Sequence, residues 1–358
     1  MNIGVIGRTG VVVMLAVIAT GEDLPAQKVT PVAPATNQGT KWSAPRTPWG
    51  HPDIQGVWTT TGMRFVPLER ARQFGPRAVL NEREAARRQA LGPDNGPTIT
   101  PDIAERKPHT SRQASLVVEP ADGRIPLTPG ALAELKTREH EFRVENPERS
   151  SAGTGELTTY ELSGGPLWRN SVPASAADVD LWDRCISRGL PGVMVPTAYN
   201  NAVQIMQTPD HIAIRYELLT MRIIPVDGRP HLGSTIRHWD GDARGHWEGE
   251  TFVVETTNFK QTKGRVRQYG SFDGGSEAMR LVERFTRVNA DTIRYEGTVI
   301  DPTTFAAPWT LSLSLEREDT YRLFEYACHE GNYSMNVRLS GARADGRADE
   351  GRKKTEKR

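Results

Sequence analysis

From Asn201 onward the chain is a near-continuous series of short runs in which apolar and polar residues alternate, separated by turn signals. No other feature of the sequence limits its fold as much. "NAVQIMQTPDHIAIRYELLTMRIIPVDGRP" holds three such runs, with Thr208-Pro209-Asp210 and Asp227-Gly228 as turns. "IRHWDGDARGHWEGETFVVETTNF" supplies a strand and a longer one after a glycine-rich turn. "RLVERFTRVNADTIRYEGTVIDP" reads as a hairpin around Asn289-Ala290-Asp291, and "WTLSLSLEREDTYRLFEYACHEG" as another around Glu318-Asp319. A side-chain period of two and hairpin spacing without intervening helices predict an antiparallel meander. A meander this long must close or split to hide its edges. The expected fold is therefore mainly β: an up-and-down barrel of about 8–10 strands preceded by an irregular, partly helical region.

Upstream, helical signals appear in "LNEREAARRQALG", where Asn81 can cap, in "LTPGALAELKTREHEFRVENP", with Thr128 as cap and Pro129 at the first helical position, and in "ADVDLWDRCISRGLPG". Gly56-Val57-Trp58 precedes them in a short strand and resembles the Gly-x-Trp with which lipocalin-like barrels often open. The predicted organisation is a signal peptide over 1–26, a flexible linker over 27–52, one barrel domain over 53–343 with a helical insertion at about 65–190, and a disordered charged tail over 344–358.

The signal reading rests on Arg8 followed by an apolar run from Val11 to Ala19, with Leu24-Pro25-Ala26 as a candidate cleavage box. The run is far shorter than the ~20 residues of a spanning helix. No membrane span is expected in the mature chain, which would be exported to the periplasm or the exterior. Forty-five Lys and Arg against 44 Asp and Glu leave no basic field for nucleic acid. The expected partner is a small molecule; the oligomeric state is open.

Export changes how Cys185 and Cys328 read, since a distant pair in an oxidising compartment suits a disulfide. Closing that loop would constrain the unfolded chain by about 4–5 kcal/mol in the chain-entropy picture. The rival is a catalytic thiol, Cys328 beside His329, although adjacent strand residues point to opposite faces.

The same alternation sorts faces. Leu281, Glu283 and Phe285 share a side, as do Ile212, Ile214 and Tyr216, and, on the expected last strand, Leu323, Glu325, Ala327 and His329. Polar candidates for the lumen are Glu217, Arg222, Arg237, Glu283, Glu325 and His329, and buried polar groups there must be paired. Glu283, Glu325 and His329 could serve acid–base chemistry with Arg222 as an electrophilic stabiliser; an Arg clamped by carboxylates could equally be structural, and His329 could simply bond backbone at a strand end. Tyr199, Tyr216, Trp239 and Trp247 are candidates to stack on a ligand, with Glu217, Arg237 and His246 beside them.

"HWDGDARGHWEGE" gathers Asp240, Asp242, His246, Glu248 and Glu250, but a calcium loop fails at its fifth and twelfth positions, Arg244 and Thr251. The alternative is a tight hairpin with Gly241, Gly245 and Gly249 at positive φ, and Trp239 and Trp247 covering the barrel mouth. No metal and no cofactor is expected, and no Gly-rich phosphate motif or Gly-x-Ser-x-Gly elbow occurs. Three readings remain: a cofactor-independent lyase, isomerase or hydrolase acting on a small aromatic or lipophilic molecule, a non-catalytic lipocalin-like carrier, and a structural envelope-associated protein.

The blocks "LWDRCISRGLPG", "YNNAVQIMQTP", "IRHWDGDARGHWEGETFVVETTNF", "VERFTRVNADTIRYEGTVIDPTT" and "YEYACHEGNY" resemble a widespread family of exported bacterial proteins of unassigned function, over roughly Pro45 to Arg343. The resemblance implies export and barrel-like β structure, and no particular reaction. Thr220 and Arg280 stand where the family usually carries histidine; if those histidines line the relatives' pocket, this chain has lost them.

Overall fold

The computed structural model describes residues 42–64, 66–91, 111–133, 137, 175–176, 179, 181–197, 199–260 and 276–356. The expected signal peptide and the first part of the expected linker lie outside them.

Ten strands form one antiparallel sheet: β1 Gly56–Thr59, β2 Val117–Glu119, β3 Ala202–Gln207, β4 His211–Tyr216, β5 Met221–Pro225, β6 Asp242–Glu248, β7 Thr251–Thr257, β8 Arg280–Asn289, β9 Thr292–Ile300 and β10 Trp309–Arg317. The order β5-β4-β3-β1-β10-β9-β8-β7-β6 makes an up-and-down, nearly closed barrel wall, with β2 added on β10. The wall has a seam between β5 and β6, which share no ladder; a side chain spans it from β5 to β7, where Arg222 donates to Thr256 at 3.0 Å.

The period of two that identifies these strands also fills the barrel. Along β8 and β9, alternate residues are buried, and the register sets Phe285 opposite Tyr295 and Glu283 opposite Gly297. Rings then stack in a column: His51 on Trp247 at 5.4 Å, Trp247 on Phe252 at 5.3 Å, Phe252 on Phe285 at 6.2 Å and Phe285 on Tyr295 at 5.0 Å. Gly245 on β6 is required by this column, because a Cβ there would come within 2.6 Å of the Phe252 ring. It does not have the positive φ expected of it; the turn of the β6–β7 hairpin falls on Gly249, at φ +60°.

One end of the barrel, here called the floor, is sealed. Trp58 lies between the guanidinium groups of Arg287 and Arg317, at 5.5 and 5.3 Å, and Arg287 also faces Trp42 at 5.7 Å. Gln207 accepts from the Ile54 amide at 2.7 Å, and Arg287 donates to the Asp53 carbonyl at 2.8 Å. The opposite end is covered by residues 181–197, the plug, whose Leu190 and Met194 join the core.

Three expectations need correction. No strand forms at 321–329, although that segment alternates as well as its neighbours. β10 already has β9 on one side, and β1 and β2 on the other, so it has no free side on which the following segment could pair as a hairpin. The third expected helix, ending at Gly189, is a series of turns and irregular backbone over its described residues 181–189, followed by a short 3-10 helix, Gly192–Met194; Cys185 at φ 54° is incompatible with a continuing right-handed helix. The charged end of the chain, expected to be disordered from 344, belongs to a helix over Ser334–Glu356, α2. The first expected helix forms as α1, Glu82–Leu91, entered through a capping box in which the Glu84 amide donates to Asn81 Oδ1 at 2.8 Å and the Asn81 amide to Glu84 at 3.0 Å. Of the second, a helical turn at 129–133 is described, with the Ala131 amide donating to Thr128 Oγ1 at 3.3 Å.

Candidate functional site

The polar part of the interior lies between the aromatic column and the plug. Arg222 reaches in from β5 and Glu283 from β8, and both are buried. Arg222 donates through Nη1 to Glu283 Oε1 at 3.0 Å and to the Tyr216 hydroxyl at 3.2 Å, while Nη2 lies 2.7 Å from Glu283 Oε2. The Tyr295 hydroxyl donates to Glu283 Oε1 at 3.1 Å. Gly297 makes room for this: a Cβ there would lie 2.9 Å from the Tyr295 oxygen.

Burial opposes the Arg222 charge, but Glu283 beside it outweighs the penalty and holds the guanidinium protonated. Burial, reinforced by the Glu283 charge, pushes the Tyr295 phenol well above its ordinary value. Tyr216 also rises through burial, opposed by Arg222. Neither phenol ionises near neutrality.

Above this cluster Asp240 enters just ahead of β6. Its carboxylate accepts from Ser187 of the plug, whose oxygen also accepts from the Gly189 amide at 2.9 Å and lies 3.5 Å from the Thr220 hydroxyl. Burial raises the Asp240 pKa, against the Ser187 bond and the Arg222 charge, which both favour the anion. Arg222 Nε, buried in the same place, has no acceptor among the described residues.

The plug is fixed by the Cys185–Cys328 disulfide, with Cα atoms 5.7 Å apart; Cys328 is therefore not a free thiol. Beside it Arg188 is fully buried over the Trp182 ring at 4.6 Å, and burial lowers its pKa to about 10. Asn332 donates to the Asp183 carbonyl at 3.1 Å, and Arg338 of α2 pairs with Asp183, so the chain after β10 clasps the plug.

The predicted site residues divide. Arg222, Glu283 and Tyr216 come together as their strand parity requires. Glu325 and His329 do not join them: both are exposed, in a segment outside the sheet, so the strand that was to aim them inward does not exist. Glu217 is buried but on the outward parity of β4, where it accepts from the Ala202 amide at 3.0 Å and from the Tyr321 hydroxyl. Arg237 pairs with Glu277 at 3.2 Å, away from the cluster. His246 is exposed on the outer face of β6, 3.2 Å from Glu248. Tyr199 is partly exposed beside the plug.

Trp239 and Trp247 do not cover one mouth; they flank opposite ends of β6, Trp247 at the floor against His51 and Trp239 near the plug. Thr220 borders the polar cluster, whereas Arg280 sits on the outer face, paired with Glu255 at 2.6 Å. Sequence reasoning missed Ser187, Thr256 and Tyr295. Tyr295 was within reach, two positions along β9 from Gly297 and opposite Phe285. Asp240 had been noticed only as a failed calcium ligand. Among the described residues, no group of three or more His, Cys, Asp or Glu is placed to hold a metal ion, and no helix is long and apolar enough to cross a membrane.

No family model, curated protein or solved structure matches this chain, so its activity has to be read from the barrel and its plugged end.

Proposed function

We propose that the protein is an exported barrel that binds a small aromatic or lipophilic molecule at the plugged end of its lumen. The observation that carries this is the Asp240 carboxyl, half-buried and held by Ser187 next to the fully buried Arg222–Glu283 pair. Removing such groups from water costs several kcal/mol per ion, and apolar residues of similar volume are often as stable or more so. The floor of the same barrel is filled with rings, so packing alone does not call for charge at the other end. A carboxyl raised towards its neutral form, two phenols and an Arg222 N–H with no acceptor are suited to orient a carbonyl or hydroxyl of a ligand whose body is apolar. The disulfide and the signal-like N-terminal sequence support export.

The test is titration of the purified mature protein with the neutral fluorophore N-phenyl-1-naphthylamine, with stoichiometry from native mass spectrometry. Saturable binding near one per chain is expected, weakened at least tenfold by Thr220→Trp, which crowds Ser187. If a protein with a normal urea unfolding transition shows no saturable binding, the reading falls.

A second reading, catalysis, draws on the raised Asp240 carboxyl beside the Ser187 hydroxyl, which could act as a general acid in a lyase or hydrolase. It requires a consumed compound whose turnover Asp240→Asn abolishes.

A further inference from the structure

Outside the polar cluster, at the rim of the plugged end, two cations converge on one indole. Lys260 Nζ lies 4.4 Å from the Trp239 ring centroid and the Arg184 guanidinium 5.6 Å from it. Neither cation has a carboxylate partner among the described residues, whereas Arg237, two residues from Trp239, is paired with Glu277, and Arg338, on the far side of the plug, with Asp183.

All three side chains stand on fixed backbone. The Lys260 amide donates to the His238 carbonyl at 2.7 Å, and the His238 amide to the Asn258 carbonyl at 3.1 Å, so the Trp239 and Lys260 segments are laced together. Arg184 adjoins Cys185 of the disulfide. The carboxyls adjacent in sequence turn elsewhere, Asp240 to Ser187 and Asp183 to Arg338.

Each cation–π contact at such a site is worth about 0.5–1 kcal/mol. Two positive charges sharing one ring repel by roughly half a kcal/mol in water, so the arrangement gains little by itself. An anion between them turns that repulsion into two attractions.

We propose that Arg184, Lys260 and Trp239 form an anion-binding subsite at the rim, and that the ligand is an aromatic or lipophilic molecule carrying one acidic group, a carboxylate, sulfate or phosphate. The acid sits between the two cations with its ring system against Trp239, and the apolar body reaches towards the Asp240–Ser187 end. This deepens the binding function proposed above and rests on it.

The experiment compares two probes of the same ring system on the full mature chain. These are the neutral N-phenyl-1-naphthylamine and 1-anilinonaphthalene-8-sulfonate, each titrated at low and high salt. The sulfonate is expected to bind about tenfold tighter at low salt, with the advantage shrinking as salt rises. Arg184→Gln and Lys260→Gln are each expected to reduce the ratio of the two affinities about threefold, and the double variant to bring it near one, with unfolding midpoints unchanged. Equal affinities in the parent, or a preference that survives in the double variant, would overturn the subsite and leave the binding barrel standing. Binding of neither probe to the folded protein overturns both.

Discussion

The two ends of this barrel are built from the same strands and could hardly differ more. At the floor, Trp58, Trp247 and Phe252 are packed with Arg287 and Arg317, whose guanidinium groups lie on rings. At the other end β5, β7, β8 and β9 deliver Arg222, Thr256, Glu283 and Tyr295, covered by a turn-rich plug and not by strand residues. At one end the buried cation, Arg287, lies on rings and bonds backbone carbonyls; at the other a buried cation is set against buried carboxyl and phenol groups. On the binding reading proposed above, the difference separates what holds the barrel together from what would receive a ligand.

That contrast can be broken from either side. The largest effect is expected at the floor: Trp58→Ala removes a fully buried ring and the surface on which two guanidinium groups rest, and should destabilise by about 3–5 kcal/mol in urea unfolding. A loss below about 1 kcal/mol would mean that the floor is not the barrel's main source of stability. Next comes Glu283→Leu, which strands a buried Arg222 and should cost about 3–5 kcal/mol, most of which Arg222→Met in the same chain should restore. If the double variant is no better than Glu283→Leu alone, the pair is needed for the fold, and its use in binding loses its main support.

The smallest effect sharpens the comparison most. The folded pKa of Asp240 lies above its unfolded value, so the native state keeps a proton that the unfolded chain gives up. Its contribution is therefore fully present below the ordinary aspartate value of about 3.9 and is lost as pH rises through the folded value. Asp240→Asn, which keeps an acceptor for Ser187, should raise Tm by about 1–3 °C at neutral pH, with the gain vanishing in acid. A variant less stable than the parent at pH 7 would show that the carboxylate is structural.

Most of the sheet was legible because its signal is local. The runs at β3, β4, β8 and β9 alternate cleanly, and Tyr216, Arg222 and Glu283 were all among the expected site residues, although the alternation had not excluded Glu217, on the opposite face from Tyr216. The segment 321–329 carries an equally clean alternation and is not a strand, because a hairpin with β10 also needs a free edge on that strand. That edge is taken by β1, which lies more than 250 residues earlier in the sequence, and no local pattern reports it. Glu325 and His329 were misplaced for that reason alone. Ser187 and Asp240 were hard to find for a different one: they stand on irregular backbone, which has no period, and only the barrel brings them together.

The disulfide joins positions 143 residues apart and encloses β3 through β10 in one covalent ring. β1 lies outside that ring, yet it is the strand that zips β3 to β10. Mechanically, the cystine guards the lid and leaves the keystone unguarded. A force applied on the N-terminal side would load the floor contacts of His51 to Trp58 and the short ladders of Gly56–Thr59, and once these give, it could peel β1 away with the cystine intact, opening the wall between β3 and β10 while the plug stays clasped.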